Sequence, residues 1–267
     1  MTNGIRQGSL ISPYLFNVYI DDLNLKIAKS KLGCHIAGKA VNNFAYADDL
    51  ALIAPTARAL NDMLKICDKF ADNHDVIFST SKSVAMFLSS KRSKTASELP
   101  NIYLSNQKLD YVSNFRYLGH YITTDFRDDT DIQRELKSLY TRGNIIVRKF
   151  GFLTTDVKCT LFKSFCYPLY TSSLWSRFNQ YCLNKLKVAY NNIMRKLVGL
   201  APWDSASRMF GTLGVRSFYE TIRIASYSLM NRISRCPSEV IVLLNNCDAS
   251  TYSRIRARWN CVLGTIS

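Results

Sequence analysis

Two adjacent carboxylates, Asp48 and Asp49, follow Tyr46 and Ala47 between two short alternating apolar runs. Neighbouring like charges repel, and a hard divalent cation such as Mg2+, bound through oxygen, relieves that repulsion. Two such ions can activate an attacking hydroxyl and stabilise the leaving phosphate of an in-line displacement. The same pair also suits an ordinary turn, where Asp is a favoured residue. Sulfur offers no competing metal site: Cys34, Cys67, Cys159, Cys166, Cys182, Cys236, Cys247 and Cys261 never form C-x-x-C, and no histidine stands at zinc-finger spacing from any pair. Scattered thiols of this kind fit a reducing compartment, each packing as a small hydrophobe, with disulfides as the alternative. His35, His74 and His120 are isolated in the sequence and receive no role.

The elements that must position the carboxylates follow from periodicity. Phe44 and Tyr46 alternate before the pair, and Leu50, Leu52 and Ala54 alternate after it, so the pair sits at the tip of a hairpin. Upstream, Ser12 as a side-chain cap and Pro13 at the first helical position start a helix whose apolar face is Leu15, Phe16, Tyr19, Ile20, Leu23 and Ile27. Downstream, Thr56 caps a surface helix with the stripe Leu60, Met63, Leu64, Cys67, Phe70 and Ala71. Strands are predicted at 76–78, 83–88, 102–104, 109–112 and 115–123, with the basic stretch 89–98 as a loop. From Asp129 the period becomes helical, over about 130–150, 155–171, 181–198 and 218–235, the last opening with Ser217 and Glu220 at capping-box spacing. Mixed α and β followed by all-α predicts a boundary near residue 125.

The 267 residues carry 35 Lys and Arg against 20 Asp and Glu, a formal charge of +15. Twenty basic and 15 acidic residues precede residue 150, whereas 15 and 5 follow it, so the excess is +5 and then +10. A polyanion, nucleic acid foremost, is the natural partner of such a surface, a solvated basic face being the alternative. With 47% hydrophobic residues and only 11 Gly and 6 Pro, the composition excludes disordered and collagen-like classes. The charge-free stretch 164–176 is far short of the ~20 apolar residues of a membrane helix. Pro13 and Asp21-Asp22 exclude a signal peptide at Leu10–Ile20, which reads instead as a buried helix. An intracellular location, cytoplasmic or nuclear and not secreted, is expected.

The order of motifs resembles the reverse transcriptases of non-LTR, LINE-type retrotransposons. Gly4-Ile5-Arg6-Gln7-Gly8 followed by Ser12-Pro13-Tyr14-Leu15-Phe16-Asn17 is similar to that family's motif B, a glycine loop and helix lining the pocket for the incoming nucleotide and template base. Tyr46-Ala47-Asp48-Asp49 resembles motif C, the Y-x-D-D catalytic hairpin. Lys82 stands where motif D carries a lysine implicated as proton donor to pyrophosphate, and Phe115-Arg116-Tyr117-Leu118-Gly119 resembles motif E, the primer grip. Tyr167-Pro168-Leu169-Tyr170 with Trp175 is similar to the helical thumb segment of these elements. Each piece alone is weakly specific; their joint order and spacing is specific.

The resemblance implies an α+β fold: a partial right-hand polymerase palm over residues 1–125, built as a short antiparallel sheet with covering helices, then an all-α thumb and C-terminal region over 126–267. It implies Asp48 and Asp49 as catalytic metal ligands for Mg2+ or Mn2+, and Lys82 as a catalytic acid. Arg6, Gln7, Gly8 and Tyr46 become nucleotide and template contacts, and Tyr117, Leu118 and Gly119 the primer grip. Partners would be an RNA template with a DNA primer duplex and deoxynucleoside triphosphates, with no membrane. Motif A, bearing the first catalytic aspartate, precedes motif B by several dozen residues in this family, whereas motif B here starts at residue 4. Neither Asp21-Asp22 nor the run from Asp125 to Asp131 matches its context. The sequence is therefore expected to be a palm and thumb portion of a larger polyprotein, lacking fingers and motif A. Three readings follow: a polymerase module completed by the missing N-terminal segment, an inactive nucleic-acid-binding remnant, and a non-binding scaffold.

Overall fold

Helix α1 (Ser12–Lys29) forms because Pro13 fits its first turn and Ile20, Leu23 and Ile27 recur at helical spacing. The N-cap is Ile11, without a side-chain bond, so Ser12 and Pro13 are the first helical residues and Ser12 is not the cap expected. The computed structural model describes residues 10–88, 99–246, 256–257 and 259–260. The expectation of a buried helix at Leu10–Ile20 is corrected. Leu10, Ile11, Tyr14, Leu15 and Val18 are exposed, and burial begins at Ile20. Arg6, Gln7, Gly8 and the basic loop 89–98 lie outside the described residues.

The chain divides into two units, Met1–Val112 and Ser113–Ser267. In the first, α2 (Ala57–His74) is capped by the Thr56 hydroxyl, which accepts from the Ala59 amide at 3.2 Å. Its Met63, Cys67 and Phe70 pack on Ile20, Leu23 and Ile27 of α1, while Leu64 joins a second cluster with Ala85, Ile102, Leu104 and Leu109. Two-residue hairpins connect β1 (His35–Ile36) to β2 (Lys39–Ala40), β3 (Asn43–Tyr46) to β4 (Asp49–Leu52), and β6 (Tyr103–Leu104) to β7 (Gln107–Lys108). One pairing departs from the antiparallel expectation: β5 (Val84–Ala85) runs parallel to β8 (Asp110–Tyr111). The long intervening segment supplies the crossover that a parallel pair requires. The alternation at 76–78 is real, with Val76 and Phe78 packed inward and Ile77 exposed, yet the segment pairs with no strand among the described residues.

The second unit opens with β9 (Asn114–Tyr117) and β10 (His120–Thr123), paired Tyr117 to His120 through Asn114 to Thr123. This hairpin groups with the helices rather than with the segment before residue 125, because His120 and Tyr121 are bonded to Asp131 on α3 (Asp129–Phe150). Helix α4 (Thr155–Cys166) stops short of residue 171, since Pro168 has no amide to donate back to the preceding turn and cannot continue the helix. Helix α5 (Gln180–Val198) ends at Gly199 in the left-handed region, φ 76°. Two helices of eight residues, α6 (Ala206–Leu213) and α8 (Glu239–Asn246), were not expected, and α7 (Phe218–Ser234) starts with the expected capping box.

Helices α3 and α5 run parallel with their N-termini side by side. Asp129 accepts from the Asn179 amide at 2.7 Å, and Asp128 from the amides of Ser176 and Arg177 at 2.7 and 2.8 Å. They close at Gly143, where a Cβ would stand 2.5 Å from Cδ1 of Ile193. Phe162, Tyr190, Phe210 and Phe218 form the aromatic centre of this core.

Candidate functional site

The Tyr46-Ala47-Asp48-Asp49 hairpin is built from its base upward. Leu50 and Leu52 of β4 pack into the α1–α2 core, which fixes the face that β3 and β4 turn inward. The buried Asn42 donates to the carbonyls of Ile27 at 3.1 Å and Leu32 at 2.7 Å, and Asn43 donates to Asn24 Oδ1 at 3.0 Å. The strands are thereby stapled to the C-terminal half of α1. Gly33, at φ +83°, lets the chain pass: a Cβ there would stand 2.5 Å from Cβ of Asn42 and 2.8 Å from the Ile53 carbonyl.

At the tip, Tyr46 pairs with Asp49, leaving Ala47 and Asp48 as the two turn residues. Ala47 has φ +50°, a left-handed conformation that a two-residue hairpin demands and that glycine or asparagine normally supplies. An alanine held there stores backbone strain at the site. Asp48 and Asp49 are both exposed, as is Tyr46. Among the described residues neither carboxylate accepts a hydrogen bond or joins an ion pair. Two bare adjacent carboxylates are the beginning of an oxygen ligand set for a hard cation. The described residues do not complete it, because none of them gathers three His, Cys, Asp or Glu side chains into a metal-holding group. Lys82 stands in a separate exposed turn, where the amides of Lys82 and Ser83 both bond the Ser79 carbonyl.

The second unit holds the remaining expected residues together. The turn between β9 and β10 is Leu118-Gly119, with φ +46° and +84°, the mirror-image type I′ pattern. Tyr170 clamps it: its hydroxyl donates to the Leu118 carbonyl at 3.2 Å, and its ring lies where any Gly119 Cβ would be, 2.7 Å from Cε1. Tyr117 is half-buried on β9.

Sequence reasoning missed what supports this hairpin. The fully buried Asp131 accepts from Trp175 Nε1 at 2.7 Å, Thr171 Oγ1 at 2.6 Å, Arg134 Nε at 2.8 Å, His120 at 3.1 Å and the Tyr121 amide at 3.2 Å. Burial pushes its pKa up, yet the hydrogen bonds from His120, Arg134, Thr171 and Trp175 outweigh it and hold the carboxyl below the usual carboxylate range. Beside it Glu135 is bonded by Arg134 and Arg142; there burial prevails and its pKa is raised. Arg142 also donates to the Pro168 carbonyl at 3.0 Å, so one network joins the hairpin, α3 and the 167–175 segment. The partners stand up to 44 residues apart in sequence, which no local pattern reveals.

A family model described as reverse transcriptase (RNA-dependent DNA polymerase) matches residues 1–122, from the start of the chain into β10. A retrovirus-related Pol polyprotein from type-1 retrotransposable element R1 2 of Nasonia vitripennis is 26% identical over 235 residues, 75% of this chain and 54% of that protein. The RNA-directed DNA polymerase from mobile element jockey of Drosophila funebris is 23% identical over 270 residues, 96% of this chain and 28% of its own length. A Pol polyprotein from type-2 retrotransposable element R2DM of Drosophila melanogaster is 39% identical over 61 residues, covering 23% of the chain. The chain thus spans about half of the R1 relative and little more than a quarter of the jockey polymerase. Over residues 1–122 the chain is thus similar to reverse transcriptases, and along most of its length to the polymerases of retrotransposable elements.

Proposed function

We propose that the chain is the palm and thumb portion of an RNA-directed DNA polymerase that extends a DNA primer on an RNA template. The observation that carries this reading is the bare Asp48 and Asp49 pair on a strained two-residue turn, inside the segment that matches the reverse transcriptase family. Asp48 and Asp49 would hold Mg2+ or Mn2+ together with a carboxylate from outside the described residues. Divalent ions held by Asp48 and Asp49 would supply activation of the attacking hydroxyl and neutralisation of charge on the leaving pyrophosphate. Tyr46 beside the pair would face the template–nucleotide pair, Lys82 would protonate the pyrophosphate, and Arg6, Gln7 and Gly8 would contact triphosphate and base. Tyr117, Leu118 and Gly119, held by Tyr170, would grip the primer strand. The exposed apolar residues of the first half of α1 offer a seat for the segment bearing the missing carboxylate.

The test is primer extension on an RNA template with Mg2+ or Mn2+, using this chain joined to the upstream fingers and motif A segment of a related retrotransposon polymerase. Incorporation by the joined chain that disappears in Asp48→Asn and Asp49→Asn is expected. Extension unaffected by either change would remove the assignment. A second reading, a nucleic-acid-binding remnant without catalysis, is favoured by the lack of a third ligand among the described residues. It predicts binding to primer-template with no incorporation even in the joined chain.

A further inference from the structure

The chain has three tryptophans, and two are spent on the fold. Trp175 is fully buried with its indole N–H on Asp131, and Trp259 is buried with its N–H on the Ser173 carbonyl at 2.8 Å. Trp203 is 85% exposed. It occupies the third position of a β-turn, Ala201-Pro202-Trp203-Asp204, closed by the Asp204 amide on the Ala201 carbonyl at 3.1 Å, with Pro202 where proline is favoured. The turn is locked from both sides. Asp204 Oδ2 accepts from the Ala201 amide at 2.7 Å, and Arg195 Nε donates to the Asp204 carbonyl at 3.0 Å while its Nη1 is held by Asn192 at 2.8 Å.

Nothing in such a turn requires tryptophan. Gly, Asn or Ser would serve that position, and the indole gains no burial for its large apolar surface. A rigid aromatic held out on a fixed turn loses little conformational entropy when it is covered, which is the property of a contact anchor.

The charge around the turn selects what covers it. Residues 157–219 contain nine Lys and Arg but a single carboxylate, Asp204, and that one is committed to the turn. Lys196, in the last turn of α5, and Arg208, in the first turn of α6, flank Trp203 in sequence and are both exposed. An exposed aromatic on a fixed turn, with exposed cations on both sides of it in the chain and its one nearby carboxylate spent on the turn, fits a phosphate backbone whose bases can stack. Bases in a duplex already stack on each other, whereas those of a single strand offer free faces. We propose that Trp203 is a stacking platform for an unpaired base of single-stranded nucleic acid, with Lys196 and Arg208 meeting the adjacent phosphates. This rests on the nucleic-acid reading above and adds to it a contact outside the segment matched by the reverse transcriptase family.

Intrinsic fluorescence isolates the site, because Trp203 is the exposed tryptophan and acrylamide reaches it in preference to the two buried ones. The full chain is titrated with a mixed-sequence single-stranded oligonucleotide and with the matching blunt duplex, at low and at physiological salt. Single strand is expected to quench Trp203 and shield it from acrylamide. Trp203→Ala should lose that signal and weaken single-strand affinity roughly 5- to 150-fold, the range for one stacked base, with an unchanged salt slope. Trp203→Phe should keep most of the affinity. Salt-dependent binding that is equally tight in wild type and Trp203→Ala would overturn the platform and leave the nucleic-acid reading standing. Absence of binding at low salt would overturn both. Acrylamide protection that grows with protein concentration alone would assign the turn to a second copy of this chain and overturn the proposal.

Discussion

The two carboxylate sites of this molecule show how the same group is used in opposite ways. At the hairpin tip, Asp48 and Asp49 are exposed and bare, so their mutual repulsion is relieved only by a cation or by water. Changing both to Asn keeps a turn-forming residue and removes the charge. We expect millimolar Mn2+ to raise the wild-type melting temperature relative to EDTA by the equivalent of about 1 kcal/mol, if free ion exceeds the dissociation constant a few-fold. The Asn pair should show no such response, and identical ion responses in the two proteins would refute ligation by this pair. Asp131 is instead saturated with donors, and its lowered pKa has a definite consequence for acid stability. Its folded pKa lies below the unfolded value of about 3.9, so its contribution is complete above that value and is lost as pH falls through the folded one. Replacing it by Asn removes the buried charge that Arg134 pairs with and turns one of its two accepting oxygens into a donor, so Trp175, Thr171 and Arg134 no longer all find an acceptor there, at a cost of about 3–5 kcal/mol near neutral pH. Urea melts from pH 7 down to pH 2 should show the variant's deficit shrinking only below about pH 4. A deficit that vanished between pH 6 and 7 would place the stabilising group elsewhere.

At the scale of elements, turns and helix seams carry separable roles. Leu118 sits at φ +46° ahead of Gly119, where Asn-Gly is the favoured pair. Leu118→Asn should therefore stabilise the hairpin by about 0.5–1 kcal/mol through reduced strain. If Leu118 belongs to a primer grip, the same change should weaken primer-template binding despite the more stable fold, a split that a purely structural leucine would not produce. Gly143→Ala gains about 1 kcal/mol of helix propensity, but its Cβ meets Ile193 Cδ1 at 2.5 Å and both Cγ1 and Cγ2 at 2.7 Å, and the two γ carbons, attached directly to the branched Cβ, cannot both swing aside. Overpacking costs typically 1–3 kcal/mol, so net destabilisation is expected in thermal melts, and adding Ile193→Val should restore part of it. The elements themselves were legible wherever a cap and a long stripe coincided: Thr56 for α2, Gly199 for α5, Ser217 with Glu220 for α7. The Asp48–Asp49 hairpin was legible from the alternation of Phe44, Tyr46, Leu50 and Leu52, though Ala47's left-handed backbone was not. Helices α6 and α8 escaped because eight residues barely exceed two turns. The parallel β5–β8 pair, the Asn42 staple and the Asp131 network escaped because each joins residues distant in sequence, and no local period encodes such partners.

Over the whole molecule, charge and aromatic packing divide the work between the two units. In the unit Ser113–Ser267 the apolar stripes of α3, α4 and α5 feed one continuous core; Arg134 and Arg142 are drawn into the Asp131 and Glu135 network, while Lys185, Lys187 and Lys196 stay at the surface or along aromatic rings. Lys185 lies 4.4 Å over the Tyr181 ring and Lys187 5.1 Å over Tyr219, placements that cost neither ammonium its outward field. From residue 136 to the end of α5 the only acidic side chain is Asp156, so nothing of opposite sign on α3 past Glu135 or on α5 cancels that field. Such a surface binds a phosphate backbone mainly by releasing counterions, and the log of the affinity then falls linearly with the log of the salt concentration. Each phosphate neutralised contributes a slope of about −0.9 on B-DNA and about −0.7 on a single strand. We expect weakly sequence-selective binding to primer-template with a slope of several such increments. Lys196→Gln should flatten that slope by about one increment and lower affinity equally for all sequences. Filter binding or fluorescence anisotropy from low to physiological salt reads both quantities. Binding indifferent to salt, or none at the lowest salt, would show that the +15 charge serves the surface alone and that the second unit is a scaffold.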